Sequence, residues 1–410
     1  MTPSPAEPVS SQVPRSRRRR RVFKLAVILA TLVLADQLAG VLLIRNGRFR
    51  GKPVPPYELV FNDAQRRHVR EMTERWDSYT RFDPELGWSI RPGGISDDGR
   101  YRANNAGFRA DRDYDLVPPP GVLRIAAMGE SFTHGATGNA DTWCAYLERL
   151  NPVLEALNFG VNGYGLDQAL LRYRRDAVPY RPHTVILGLM VENLLRHVSV
   201  YRPAYHHDTI SAVVKPRFRI DGAGGLTLIP CPAESIAALK SDIESGAILK
   251  ALRTTDYWVM RAPLAYERSP LFASGVFRLI YAVHENAARS PREHYLDPEG
   301  EPYRVTLALV RVFNDEARRN GAQRVILLLM PDEGALFDRW DGVEPYWEGL
   351  LSEARNAGVE TLDVSPRLLD AMTTLGAAAL FSKNHYTPLG NRLVAEALLQ
   401  VLHRENPGAP

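Results

Sequence analysis

The stretch RIAAMGESFTHG, residues 124–135, places a serine hydroxyl at the end of an apolar run. The run predicts a buried strand of a parallel sheet, and Ser131 follows at the turn into a helix. The amides of such a turn are unpaired and can bind a negative oxygen, so a nucleophile and part of an oxyanion hole would come together there. A serine at a strand end more often only caps the next segment.

Three later segments add polar groups of the same kind after apolar runs. NFGVNGYG contains Gly163, whose N–H can approach a shared pocket because no side chain blocks it. GLMVENLLRH places Glu192 and Asn193 after a third run, where an Asn amide could donate to an oxyanion. SKNHYTPLGN contains His385, and a serine first with a histidine last is one chain order of a serine–histidine pair.

These four segments, in this order, resemble the sequence blocks of the SGNH/GDSL hydrolase superfamily. GESFT is similar to the first block and NFGVNGYG to the second, ENLL falls where the third block (GxND) should be, and NHYTPLGN where the fifth (DxxH) should be. The resemblance covers about residues 122–195 and 302–403. It implies that Ser131 is a nucleophile and that His385 is a base. It also implies that Ser131, Gly163 and Asn193 form an oxyanion hole.

Two positions depart from the family pattern. Glu192 stands where the family has Asn, and a carboxylate cannot donate to an oxyanion unless it is protonated. Either Asn193 turns in by a local shift, or this donor is missing. The acidic residue three positions before the histidine is replaced by Ser382, so His385 needs another orienting group. Ser382 itself, Asp332 after the fourth strand, or a backbone carbonyl could serve.

Strands and helices alternate from residue 122 onward, which predicts an α/β fold. We expect a three-layer α/β/α sandwich with a mostly parallel five-stranded sheet, within a hydrolase-like domain at 121–405. An insertion at about 198–300 is far longer than a normal connection and would form a lid or a packing or partner surface. Residues 53–120 predict an N-terminal extension of one helix and small strands.

The N-terminus predicts a basic, disordered tail at 1–21 and a transmembrane signal anchor at 22–45. Residues 25–44 are a mostly apolar run of about 30 Å as a helix. Arg and Lys are more frequent before the run than after it, so the N-terminus should stay in the cytoplasm and the body outside it. Asp36 and Gln37 are costly in a bilayer and could face a partner helix. A cleaved signal peptide is the rival, and an RNA-binding arginine run is the third interpretation.

Charge and cysteine content bear on whether the protein could bind nucleic acid, form a disulfide or hold a metal. Residues 1–52 hold 11 of the 51 Lys and Arg residues and 2 of the 47 Asp and Glu residues, so the body is slightly acidic and nucleic acid is not an expected partner. Cys144 and Cys231 predict two half-buried thiols, although they could pair in an oxidising compartment. His206 and His207 are too close in sequence to complete a metal site, and we expect no metal and no cofactor.

These observations predict an SGNH-type esterase or O-acyltransferase that acts on acyl esters, either of a small molecule or of a cell-envelope polysaccharide. Its single membrane span would leave the catalytic domain in the periplasm or outside the cell. The alternative is a catalytically silent SGNH-fold protein that binds glycan or scaffolds an assembly.

Overall fold

The structure, a computed structural model, describes residues 15–75, 78–267 and 269–403. The chain divides into two compact units. Unit 1 contains Met1–Glu58 and Leu264–Ala287, and unit 2 contains Leu59–Pro263 and Ala288–Pro410. Of the insertion predicted at about 198–300, residues 264–287 belong to unit 1 and the other residues to unit 2. Its role as a lid or as a packing or partner surface stays a prediction.

A five-stranded parallel sheet forms the centre of unit 2. The strands are β1 (Leu123–Met128), β2 (Leu154–Asn158), β3 (Thr184–Met190), β4 (Arg324–Met330) and β5 (Glu360–Asp363). In space they lie in the order β5–β4–β3–β1–β2. The connections reverse direction between β1 and β3, and α/β proteins bind ligands outside the carboxyl ends of the strands at such a point.

Helices cover both faces of this sheet. All seven residues of β3 are buried, as expected for a near-continuous apolar strand covered on both sides. Ile125 and Ile326 belong to one core cluster with helices Trp143–Leu150 and Pro388–His403, whereas helices Leu166–Arg172 and Glu301–Arg319 pack outside that cluster. The predicted three-layer sandwich with a five-stranded parallel sheet is confirmed.

Short hairpins and further helices complete the described chain. The hairpins are Arg48–Phe49 with Lys52–Pro53, Thr80–Asp83 with Gly87–Ile90, Arg217–Ile220 with Leu226–Ile229, and Phe381–Ser382 with His385–Tyr386. The other helices are Asp63–Glu74, Ser131–His134, Asn193–His197, Ile236–Ser245, Ala247–Thr255, Tyr257–Arg261, Gly275–Ala288, Pro291–Tyr295, Glu333–Trp340, Glu348–Asn356, Ser365–Leu375 and Ala377–Leu380. Both cysteines are free thiols, Cys144 buried and Cys231 partly so.

The N-terminal extension is part of unit 2 from residue 59 onward and touches the region that follows β1 and β2. The Arg109 amide donates to the carbonyl of Asn158 at the end of β2. Trp88 Nε1 donates to the carbonyl of Asn162 at 2.9 Å. The extension therefore supports the loops at the carboxyl edge of the sheet.

Unit 1 begins with the helix Arg15–Leu43. Residues 1–14 lie outside the described part of the chain. Residues 15–21, which were predicted to belong to a disordered tail, are helical. The helix has a mean hydropathy of 2.2 over its most apolar window, and none of that window is buried within the protein. It is long and apolar enough to cross a membrane, a property shared by anchors and signal sequences.

Candidate active site

The turn after β1 presents Ser131 at the carboxyl edge of the sheet. Ser131 is the first residue of the short helix Ser131–His134, and Glu130 is its N-cap. Glu130 Oε2 accepts a hydrogen bond from the amide of Phe132 at 2.6 Å. Because Glu130 performs the capping, the Ser131 hydroxyl is left for another partner.

That partner is His385, which the hairpin Phe381–Ser382/His385–Tyr386 brings to the same edge. His385 Nε2 lies 3.0 Å from Ser131 Oγ, within the hydrogen-bond reach of about 2.6–3.2 Å that a general base needs. Lys383 and Asn384 form the turn of the hairpin with positive φ angles of 50° and 59°. The two predicted residues are thus in direct contact, in the geometry that proton transfer requires.

A backbone carbonyl holds the other ring nitrogen of His385. Nδ1 lies 3.1 Å from the carbonyl oxygen of Lys383. A carbonyl only accepts, so Nδ1 carries the proton and Nε2 is free to accept from the serine hydroxyl. Burial lowers the pKa of His385, although the Lys383 carbonyl opposes this shift. The imidazole is therefore neutral at pH 7, as a general base must be.

The two side chains considered as orienting groups do not hold His385. Ser382 is exposed and pairs with His385 across the hairpin, but its hydroxyl makes no hydrogen bond to the ring. Asp332 Oδ1 instead accepts from the amide of Ala335 at 2.8 Å and caps the helix Glu333–Trp340. Of the three alternatives from the sequence, the structure contains the backbone carbonyl.

Gly163 lies in the loop after β2 and lines the same cavity as Ser131. Its φ angle of +84° is one that residues with a side chain rarely adopt. A Cβ atom at this position would lie 2.9 Å from Arg202 Nη1. Glycine is therefore favoured here by the backbone conformation, and a Cβ atom would also displace the flexible end of the Arg202 side chain.

The residues after β3 differ from the predicted arrangement. Glu192 lines the cavity, whereas Asn193 is not among the lining residues and is completely buried. Neither side-chain polar atom of Asn193 has a hydrogen-bond partner among the described residues. The oxyanion role predicted for Asn193 lacks support in this arrangement, because the first residue of helix Asn193–His197 is turned into the core region.

Arginine side chains neutralise the Glu192 carboxylate. Arg196 Nη2 lies 3.3 Å from Glu192 Oε2, as expected for residues one helical turn apart. Burial acts to raise the pKa of Glu192, but Arg196 and Arg202 outweigh it and hold the pKa at about 2. Burial raises the pKa of the neighbouring Glu130 to about 7, with Arg196 opposing. The site thus holds one ionised carboxylate and one that is close to its midpoint at neutral pH.

An open cavity of 860 Å³ is lined by Ser131, His385, Glu192, Arg196 and Arg202, among others. A second cavity of 760 Å³ continues from it, and both are lined by Tyr101, Asn162, Gly163, Arg202 and His206. Arg202 is a site residue that the sequence reasoning missed. Its Nε atom is buried and has no hydrogen-bond partner among the described residues. No strand end or block marks Arg202 in the sequence, because it lies at the start of the insertion.

Among the described residues, no group of three or more His, Cys, Asp or Glu side chains is arranged to hold a metal ion. His206 lines the cavity together with Ser131 and His385, and burial lowers its pKa.

The chain forms a five-stranded parallel α/β sheet, and Ser131, Gly163, Glu192 and His385 line one cavity of the protein. No family model and no curated protein matches the chain. Among solved structures, the chain is similar to a putative lipolytic protein of the G-D-S-L family from Desulfitobacterium hafniense DCB-2, with 15% identity over 68% of this chain and 99% of that one and a TM-score of 0.35.

Two further solved structures show similarity at the same level. The acetylxylan esterase Axe2 from Geobacillus stearothermophilus is 14% identical over 68% of this chain and 93% of that one, with a TM-score of 0.35. LAE5, an alpha/beta hydrolase enzyme from the metagenome of Lake Arreo, Spain, is 13% identical over 68% of this chain and 95% of that one, with a TM-score of 0.36. Function has to be argued from the site of this chain.

Proposed function

We propose that this protein is a serine esterase or O-acyltransferase of SGNH type, with Ser131 as nucleophile and His385 as general base. The observation that carries the proposal is the 3.0 Å contact between Ser131 Oγ and His385 Nε2 in an open cavity. The Lys383 carbonyl fixes the tautomer in which Nε2 accepts the serine proton.

The reaction would proceed through an acyl-enzyme. Ser131 Oγ attacks the ester carbonyl while its proton moves to His385 Nε2. The amides of Ser131 and Gly163 hold the oxyanion that forms. His385 then protonates the departing alcohol as the carbon–oxygen bond breaks. Water, or a hydroxyl group of an acceptor, attacks the acyl-serine and gives its proton to His385. His385 passes this proton to Ser131 Oγ as the bond between Oγ and the acyl carbon breaks, and a free acid or a new ester leaves.

The cavities support a substrate larger than a simple ester. The 860 Å³ cavity and its 760 Å³ continuation form an open groove, whereas a small acyl group alone needs a fraction of that space. An acylated polysaccharide of the cell envelope would fill such a groove. We propose this substrate class together with membrane anchoring by the helix Arg15–Leu43 and a catalytic unit outside the cytoplasm.

A fluorophosphonate probe tests the nucleophile. The full chain, purified in detergent, should be labelled with a stoichiometry of one, and Ser131→Ala should abolish labelling. His385→Ala should slow it strongly, because the proton acceptor is lost. Ser382→Ala, which changes an exposed hydroxyl beside the same hairpin, is the matched control and should keep the label. Labelling of Ser131→Ala at the wild-type rate would contradict the proposal.

A catalytically silent glycan-binding protein remains the second candidate. The observation that favours it is the Glu192 carboxylate, held ionised at the position where the family has a donor. This candidate predicts that wild-type protein binds acylated glycan but reacts with neither the fluorophosphonate nor an acetyl ester. Acetate release that depends on both Ser131 and His385 would exclude it.

A further inference from the structure

The apolar N-terminal helix contains one carboxylate, and unit 1 supplies its partners. Asp36 Oδ1 accepts from Ser274 Oγ at 2.6 Å and from the Val276 amide at 2.9 Å. Asp36 Oδ2 accepts from the Gly275 amide at 3.2 Å. Asp36 therefore caps the N-terminus of the helix Gly275–Ala288, where a negative charge is stabilised by unpaired amides.

Neighbouring residues strengthen the same contact. Gln37 Nε2 donates to the carbonyl of Ala273 at 3.1 Å. Gly40 packs against Gly275, and a Cβ atom on Gly40 would lie 3.2 Å from the Gly275 Cα atom. Small residues at such a crossing let two helix backbones approach closely, as in membrane helix pairs. The polar residues of the apolar run therefore serve a partner within the same chain, and a second protein is not needed to satisfy them.

The contact lies well inside the apolar run. Asp36 is eight residues before Ile44, which corresponds to about 12 Å along the helix axis. On both sides of the segment that contacts Asp36, residues form hydrogen bonds to the part of the chain that follows the N-terminal helix. Tyr57 donates its amide to the carbonyl of Ala265 at 2.7 Å, and Arg278 Nε donates to the carbonyl of Pro55 at 2.7 Å. Residues 273–276 thus contact the apolar helix at Asp36 and Gln37, whereas Ala265 and Arg278 on either side of them contact residues 55–57, which follow that helix.

The surface of this segment is apolar where it is exposed. Val276, Ile280 and Val283 are 42%, 64% and 58% exposed and recur at helical spacing, and Leu271 before them is 52% exposed. The polar, exposed His284 comes eight residues after Val276, or about 12 Å further along the axis. Apolar side chains end at about the level where the apolar run of the N-terminal helix ends.

We propose that residues 269–283 form a re-entrant segment in the outer half of the bilayer, with lipid acyl chains covering Leu271, Val276, Ile280 and Val283. The inference rests on the membrane placement under Proposed function, and it is independent of the chemistry at Ser131. Lipid is the expected occupant because this apolar surface is continuous with the exposed apolar side chains of the helix that would span the membrane. The N-terminal helix is then retained in the mature protein, since its removal would also remove the cap at Asp36.

Photo-crosslinking in lipid tests the segment directly. The full chain would carry benzoylphenylalanine in place of Ile280 and be reconstituted into phosphatidylcholine vesicles. Irradiation should give a phospholipid adduct in the intact mass, and vesicles with perdeuterated acyl chains should shift that mass. The same group at Leu34, in the N-terminal helix, is the positive control, and at Glu244, an exposed carboxylate in unit 2, it measures the background.

The outcomes distinguish a failure of the re-entrant segment from a failure of the membrane anchor. Adducts at both Leu34 and Ile280 support the re-entrant segment, and Asp36→Leu should then reduce the adduct at Ile280 while that at Leu34 persists. An adduct at Leu34 but only background at Ile280 would overturn the proposal and leave the anchor intact. Background at both positions, or loss of an N-terminal tag from the mature protein, would overturn the membrane anchor and the segment together. Fluorophosphonate labelling of Ser131 in the same samples reports on the catalytic proposal separately.

Discussion

Replacing Ser382 by Asp should increase activity, because it supplies the carboxylate that His385 lacks. Ser382 and His385 are directly opposite in their two-stranded hairpin. Side chains at such positions share a face, with Cβ atoms about 4.5–5.5 Å apart. Ser382 is exposed, so the larger side chain meets no packing constraint. The new carboxylate can therefore approach the imidazole ring without disturbing the contact with Ser131.

The expected magnitude follows from the charge that His385 acquires during the reaction. Two opposite charges about 5 Å apart interact by about 3 kcal/mol at an effective dielectric constant of about 20. Water and salt at an exposed position reduce this to about 0.5–1 kcal/mol. The transition state contains the imidazolium and the resting state does not, so kcat/KM should rise by about 2- to 5-fold.

The pH profile of kcat/KM is the decisive assay. His385 must be neutral to accept the serine proton, and burial lowers its pKa, so the acid limb of the wild type should lie below pH 6.5. The carboxylate of Ser382→Asp favours the imidazolium and should move that limb to higher pH. Ser382→Asn has the same shape without the charge and should change neither rate nor limb. Equal kcat/KM and equal acid limbs for the Asp and Asn variants would refute the reasoning.

Three further substitutions test the surroundings of the pair. Gly163→Ala should lower stability by about 1–2 kcal/mol in denaturant unfolding and reduce kcat, because it combines a left-handed φ with a contact to Arg202. Glu192→Gln should lower the unfolding midpoint by leaving Arg196, whose side chain is 5% exposed, without its carboxylate. The stability of the wild type should fall as the pH rises from about 4.5 to about 7, because ionisation of the buried Glu130 opposes folding. Glu130→Gln should remove this fall.

The sequence predicted the sheet and the serine–histidine pair for a common reason. Strands buried on both faces are continuous apolar runs, and they are visible without knowledge of their neighbours. The carboxyl ends of parallel strands meet at one edge, so polar residues that follow separate runs had to come together. Ser131 and Gly163 follow β1 and β2 in this way, and His385 reaches the same edge from the C-terminal hairpin.

Features that depend on tertiary contacts were not predictable in this way. The stretch AESIAALKSDIESGAILKAL predicts one helix, but it forms two, because Gly246 adopts a φ of +76° between them. Arg202 reaches the cavity from an insertion that has no block pattern. A shift of one residue decides whether Glu192 or Asn193 lines the cavity, and periodicity does not resolve a single position in a helix of five residues.

The Glu192 carboxylate does not by itself exclude catalysis. An isolated carboxylate at the cavity wall would repel an oxyanion, but Arg196 pairs with it and Arg202 adds a second positive charge beside Gly163. The same two guanidinium groups keep Glu192 ionised, so the cluster of three carries a net positive charge at neutral pH. A net positive field next to Gly163 would stabilise developing negative charge in the proposed reaction, as an Asn amide donor would. In that reaction Glu192 and its two guanidinium groups would take the place of a neutral donor, and the backbone carbonyl at His385 would be the weaker point of the proposed site.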